Sequence, residues 1–457
     1  MTHDRRRLAA FLLSSTVAVT AHAAGWSSPA TVSPVGNPDP TRGAQVDSIA
    51  VNSTGLALAS WDQYFYTGGG GSTVGVNVER SGRWGTPATL SDPARYSDRA
   101  QTAVGRDGTM VVAWASESPT GRNIEAAVWP AGASGWSGRV VLATGYTRVS
   151  PDPSNVRVAV NGNGEAWIAW SIFDGTHYLV QAAYRPAGAG AQFGPATTLS
   201  TTGEDAIEPA LALNDVGQVV VAWAGSPWQM STSPNTITVR KSLGYVQPFG
   251  DPVRIAPDLS RYVGYQSAPV ACIDSNGLAT IMWMGNGLQG NREVVDGSWK
   301  GVETIVAPQN SVSSFITPSL ACDGQGRAIA AVVVFDASVG VQRAQLWAAT
   351  LEQGNWSAAQ KLTGVTPRKT EDIAAANVAM SPDGSLAFVA YIDHYNGVVK
   401  AVHHNASDWG TPYLLGKTSS VSSFAEMVDA TADVNSQGRV IWKTKGGALH
   451  LVSDWKP

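Results

Sequence analysis

Charge, cysteine and long apolar runs are all scarce in this chain. Only 14% of its 457 residues are Asp, Glu, Lys or Arg, and the formal net charge is −4. A mildly acidic balance argues against nucleic acid as a partner, because non-specific binding rests on neutralising phosphates with Lys and Arg. After residue 23 no run approaches the ~18 apolar residues of a membrane-crossing helix, so no membrane insertion is expected. Nor does any segment hold a long apolar stripe at helical spacing. There is no Gly-x-x-x-x-Gly-Lys-Ser/Thr loop, no His-Glu-x-x-His helix, no Gly-x-Ser-x-Gly elbow and no Cys-x-x-Cys pair. Nucleotide hydrolysis, zinc proteolysis and α/β-hydrolase chemistry are thereby disfavoured, and no cofactor or metal is expected.

The first 23 residues stand apart. Arg5, Arg6 and Arg7 precede the apolar stretch 8–19, and Ala21-His22-Ala23 offers a small-x-small cleavage site. This reads as a secretory signal peptide over 1–23, leaving a secreted or periplasmic protein of one domain over 24–457. Its loss removes three Arg and Asp4, taking the balance to about −6 by the same charge count. Export permits a disulfide between the two cysteines, Cys272 and Cys322. They lie five and four residues before equivalent glycines, on opposite faces of equivalent strands, and opposite faces of adjacent repeats meet. The alternative is two small buried hydrophobes.

What fills the chain is a repeat. SIAVNSTGLALASW (48–61), TAVGRDGTMVVAW (102–114), VAVNGNGEAWIAW (158–170) and LALNDVGQVVVAW (211–223) are followed by VACIDSNGLATIMW (270–283), LACDGQGRAIAAVVVF (320–335), VAMSPDGSLAFVAY (378–391) and ADVNSQGRVIW (432–442). Their turn glycines are Gly55, Gly108, Gly164, Gly217, Gly277, Gly326, Gly384 and Gly438. Spacings between about 49 and 60 residues suit a four-stranded blade. In the third repeat strands are expected at 156–160, 166–170, 178–185 and 193–200. The opening Gly25-Trp26-Ser27-Ser28-Pro29 matches Gly82-Arg83-Trp84-Gly85-Thr86-Pro87, so the amino terminus should supply the fourth strand of the final blade. The expected fold is an all-β, eight-bladed β-propeller of antiparallel blades, with seven blades as the alternative. Glycine 48 times and 17 Trp fit such a protein.

This repeat resembles that of secreted bacterial β-propellers in the broad sialidase-like group, over residues 25–457. The strict Asp-box pattern Ser-x-Asp-x-Gly-x-x-Trp is absent; Ser381-Pro382-Asp383-Gly384 comes nearest, with different spacing.

Strand order puts the turns between strands 1–2 and 3–4 on one face, and the loops between strands 2–3 and between blades on the other. The first set is short and regular. The second is irregular and gathers charge, which makes its rim the candidate ligand face. Ligand-binding candidates there are Asp62, Tyr64, Tyr66, Arg95, Arg99, Arg148, Trp228, Arg261, Tyr262, Tyr265 and Arg368. Arginines there can grip carboxylates bidentately, and aromatics that break the repeat can stack on sugars. Trp61, Trp114, Trp170, Trp223, Trp283 and Trp442 keep the period, so they are read as inter-blade packing. Asp62, Asp174, Asp336 and Asp393 recur after the second strand, as acid/base groups or turn caps. His177, Tyr178, Asp393, His394 and Tyr395 are the proton-transfer candidates if there is catalysis.

Three readings follow. The first is a secreted, monomeric propeller binding an extracellular ligand, in particular a glycan, through its long-loop face. The second is a lyase or glycosidase acting on acidic sugars. The third is a cell-surface protein-interaction scaffold.

Overall fold

The computed structural model describes residues 25–33, 46–65, 71–119, 121–146, 155–225, 236–244, 248–256, 268–285, 287–307, 318–336, 343–363, 372–405, 408–417, 428–433, 435–443 and 450–456. The expected signal peptide lies outside them. Among the described residues there is no helix, and the strands pair antiparallel within each repeat.

Each repeat starts with a strand, then a tight turn whose geometry its own side chains set. In the first repeat Asn52 Oδ1 accepts the N–H groups of Thr54 (3.0 Å) and Leu56 (3.1 Å), and Gly55 turns the chain at φ 77°. Asn161, Asp274, Asp323 and Asp433 repeat this Asx arrangement. The last repeat corrects the reading of Gly438 as its turn glycine. Ser436 holds the left-handed position there, at φ 57°. Gly438 instead begins the strand Gly438–Lys443, where a Cβ would sit 2.7 Å from the Phe388 ring. Its missing side chain serves packing between repeats.

The second strands are the best buried. Trp61, Trp114, Trp170, Trp283 and Trp442 are among the largest fully buried side chains, and Trp223 is nearly so. In the first repeat Trp61 faces Gly75 across the sheet, where any Cβ would collide with the indole. The fourth strand of repeat three is shorter than expected: 193–200 contributes only Thr197–Thr198. Gly194 and Pro195 precede it, and proline offers no N–H to a ladder. Repeat three's second strand, by contrast, runs on to Phe173.

The first strands form a layer: Val46–Val51, Ser97–Val104, Val156–Val160, Ala206–Leu213, Val270–Ile273, Ser319–Cys322, Ile373–Met380 and Val428–Ala432. Each contacts the next, and Val428–Ala432 contacts Val46–Val51. Many of their residues stay partly accessible, unlike the second strands. At the chain ends, Trp26 pairs with Trp455 and Ala30 with Val452, so the amino-terminal segment lies beside the carboxyl-terminal strand. Cys272 and Cys322 are bonded between neighbouring first strands, with Cα atoms 6.0 Å apart.

Candidate functional site

Four first strands shift register near their starts, and in two of them the shift passes over two residues, between Asp98 and Gln101 and between Ile207 and Ala210. The extra residues include Arg99 at φ 61° and Glu208 at φ 53°. A left-handed backbone costs a side-chain-bearing residue energy. The other non-glycine residues with positive φ, among those described, are Ser81, Gln353 and Ser436, all at turns. Among the described residues only Arg99 and Glu208 carry that strain inside a strand, and strain of this kind gathers where a side chain must be aimed.

They are aimed at each other's neighbours. Arg99 Nη1 donates to Asn155 Oδ1 at 3.0 Å, and Asn155 Nδ2 donates to Glu208 Oε2. Asn155 is itself held by Ser171, whose Oγ accepts its N–H at 3.2 Å. Burial pushes the Glu208 carboxyl above the usual range, opposed by Arg157, by Arg99 and by the Asn155 hydrogen bond. Burial likewise lowers Arg157, opposed by Glu208. The group therefore joins two guanidinium groups, one carboxyl and one amide across three consecutive first strands. Asp62 Oδ2 accepts the Arg99 N–H at 3.4 Å, and Arg122 forms an ion pair with Asp98 behind it.

A second polar belt continues around the layer. Ser319 Oγ donates to Asn377 Oδ1 at 3.2 Å, and Asn377 Nδ2 to Asp429 Oδ1 at 2.8 Å. The Ile49 N–H donates to Asp429 Oδ2 at 2.7 Å, and Thr102 Oγ1 to Ser48 Oγ at 3.1 Å. Burial pushes Asp429 up to about 6, against hydrogen bonds from the Ile49 and Ala430 N–H groups and from the Ser48 side chain.

The residues singled out from sequence take varied places. Asp62 is fully buried within the strand Ala57–Phe65. Arg95 is a surface group 3.7 Å from Asp92. Arg99 lies in the cluster. Tyr64 is in a strand whose side chains are not described at that point. Tyr66, Arg148, Trp228, Arg261, Tyr262, Tyr265 and Arg368 lie outside the described residues.

The proton-transfer candidates do not form one group. His177 Nδ1 lies 3.5 Å from Asp205 Oδ1, while the same oxygen accepts the Tyr178 N–H at 2.8 Å. Tyr178 is buried against Phe173, with ring centroids 5.0 Å apart. Asp174 caps its turn, accepting the N–H groups of Thr176 and His177. Asp336 ends the strand Ala328–Asp336. Asp393 is fully buried, accepting from Asn396 Nδ2 at 2.6 Å and Lys400 Nζ at 3.2 Å. His394 donates its backbone N–H to Asp372 O at 2.7 Å, and Tyr395 is 66% exposed. The two His-Tyr pairs thus sit in different repeats, and one Tyr points inward where the other points out.

Sequence reasoning missed Asn155, Arg157 and Asn377. A signal existed: seven residues before the turn residue stand Ser48, Gln101, Arg157, Ala210, Val270, Ser319, Asn377 and Asp429. That register holds Ser48, Ser319, Asn377 and Asp429 of the belt, but only Arg157 of the cluster.

No family model matches the chain, and no curated protein does. Among solved structures it is similar to a Penicillium chrysogenum α-L-arabinanase complexed with arabinobiose, at 14% identity and TM-score 0.40, over 67% of this chain and 94% of that one. It is also similar to a polysaccharide lyase family 25 ulvan lyase, at 11% and 0.40 over 90% and 93%. A leech intramolecular trans-sialidase follows, at 10% and 0.37 over 94% and 97%. The resemblance to sialidase-like proteins is thus present in structure at low identity.

Proposed function

We propose that the chain is an exported, eight-bladed β-propeller that binds a glycan at the long-loop mouth of its axial channel. The first-strand layer lines that channel, and Arg99, Asn155, Arg157 and Glu208 form the binding centre. The observation that carries this reading is the hydrogen-bonded chain from Arg99 through Asn155 to Glu208, held at two strained bulges. Strain maintained at two equivalent positions, both aiming charged groups into one space, is the mark of a preorganised site. Guanidinium forks and an amide suit the hydroxyl and carboxylate groups of a sugar.

The test is a glycan array with the chain lacking residues 1–23, beside Arg157→Ala and Glu208→Gln. Binding by the unaltered chain, and at least about a tenfold loss in Arg157→Ala, is expected for one charge-assisted contact. Silence on the array by the unaltered chain sinks the reading.

A second reading rests on Glu208. A carboxyl raised by burial and flanked by arginines suits a proton donor to a leaving sugar oxygen. Assays for new reducing ends and for unsaturated products on uronate polymers separate it from binding alone. Turnover that Glu208→Gln abolishes selects catalysis.

A further inference from the structure

The face opposite the channel mouth, made of short turns, also holds a cavity. It lies between the Arg80–Ser81 turn of repeat one and the turns of repeat two at Arg106–Gly108 and Trp129–Ala133, with a volume of about 430 Å³. Ligand pockets commonly begin near this size. Its aromatic wall is fixed: Trp129 Nε1 donates to Ala133 O at 2.9 Å, and Trp136 packs on it edge-on with centroids 5.7 Å apart.

Arg80 lies over that wall, its guanidinium carbon 4.9 Å from the Trp129 ring centroid. A guanidinium stacked on an indole keeps its in-plane N–H groups available to an acceptor. Among the described residues Arg80 has no carboxylate partner, and directly across the turn stands a second cation, Arg83. The nearby carboxylates are spoken for. Asp107 accepts from the N–H and Oγ1 of Thr109, at 2.9 and 2.8 Å. Glu79, next to Arg80, is buried against Arg439 at 2.9 Å. Arg106 reaches Asp215 at 3.3 Å, where both are more than half exposed and the pair is easily screened. A protein of net charge −4 therefore carries a local excess of guanidinium charge beside an indole.

We infer that this cleft is a second binding site, independent of the mouth, for a small sugar acid: a ring against Trp129 and its carboxylate on the Arg80 fork. A carboxylate takes two parallel N–H bonds from such a fork, which an ammonium cannot offer.

Calorimetric titration of the chain lacking residues 1–23 with glucuronate, glucose and inorganic phosphate tests this. Glucuronate should bind, with glucose and phosphate at least about tenfold weaker, since each lacks one of the two contacts. Arg80→Ala should weaken glucuronate at least about tenfold and Arg80→Lys by less, with the thermal midpoint unchanged because Arg80 is exposed. Glucuronate heat should persist in Arg157→Ala, which disables only the mouth. Equal binding in the unaltered and Arg80→Ala chains, or loss in Arg157→Ala instead, would overturn the assignment. So would phosphate binding as tightly as glucuronate, or no glucuronate binding at all.

Discussion

Arg185 and Asp429 show how far a single buried charge depends on what surrounds it. Arg185 is 1% exposed and donates to four backbone carbonyls, those of Ala191, Gly164, Pro186 and Gly188, at 2.7–3.2 Å. It closes the turn between the third and fourth strands of its repeat. Arg185→Ala takes a donor from all four, leaving, among the described residues, only Gly188 O with another, the Ala191 N–H at 3.2 Å, and should cost about 3 kcal/mol, read from denaturant midpoints. Nothing at position 185 in the sequence announces this, since an Arg after Tyr184 reads as an ordinary strand end.

Asp429 makes the opposite point, a carboxyl that burial disfavours in its charged form. Its folded pKa of about 6 stands above the ordinary 3.8, so the native state holds the proton more tightly than the unfolded chain. The associated stability is fully present below about pH 4 and is lost as pH rises through 6. Asp429→Asn cannot titrate, so the stability difference between the two chains should change across pH 4–6 and stay flat above it. Urea midpoints at half-unit steps read this directly; parallel curves would contradict it.

At the scale of the strand, the amino-terminal segment hangs on few contacts. Its pairing with His450–Lys456 is short, and Trp26 anchors it by donating Nε1–H to His403 Nε2 at 3.1 Å. His403 lies among Trp26, Phe388 and Trp455, and burial lowers it to about 4. Only the neutral ring can accept from Trp26. The folded pKa lies below the ordinary 6.5, so this stabilisation is complete above 6.5 and is lost as pH falls through 4. Hydrogen exchange should therefore quicken at Gly25–Thr31 and His450–Lys456 on going from pH 7 to pH 4, before the second strands respond. After correction for the intrinsic pH dependence, uniform quickening throughout would count against the latch.

The pairing partners of that segment were legible, because Trp26–Ser33 copies the spacing of Trp84–Ser91. That His403 accepts from Trp26 was not, since it depends on where the two ends of the chain meet. The same limit hid Ser436: a serine in a left-handed turn looks ordinary until Asp433 is seen accepting the N–H groups around it.

Over the whole molecule, periodicity in sequence reports contacts within a repeat and is silent on contacts between repeats. Turn Asx residues and buried tryptophans could be read because each copy supplies its own partners. The cluster of Arg99, Asn155, Arg157 and Glu208 could not, because its members lie about one repeat apart and meet only when first strands pack side by side. The seam between the first and last repeats is the extreme case. Arg439 Nε meets Glu79 Oε2 at 2.9 Å across 360 positions, with both side chains at most 3% exposed. Nearby, Asp429 takes the Ile49 N–H, and Asn77 Nδ2 donates to Val32 O at 2.8 Å. A buried ion pair gains little net stability, because desolvation offsets attraction, yet breaking it strands a charge. Glu79→Leu and Arg439→Met should each cost about 3–5 kcal/mol, while the two together should recover most of that loss. A double-mutant cycle from urea unfolding measures the coupling. If the single losses simply add, the seam is closed by its apolar packing and the ion pair is incidental. Strong coupling would instead mean that this pair selects which repeat the last one joins, a specificity that apolar surfaces common to every repeat cannot supply.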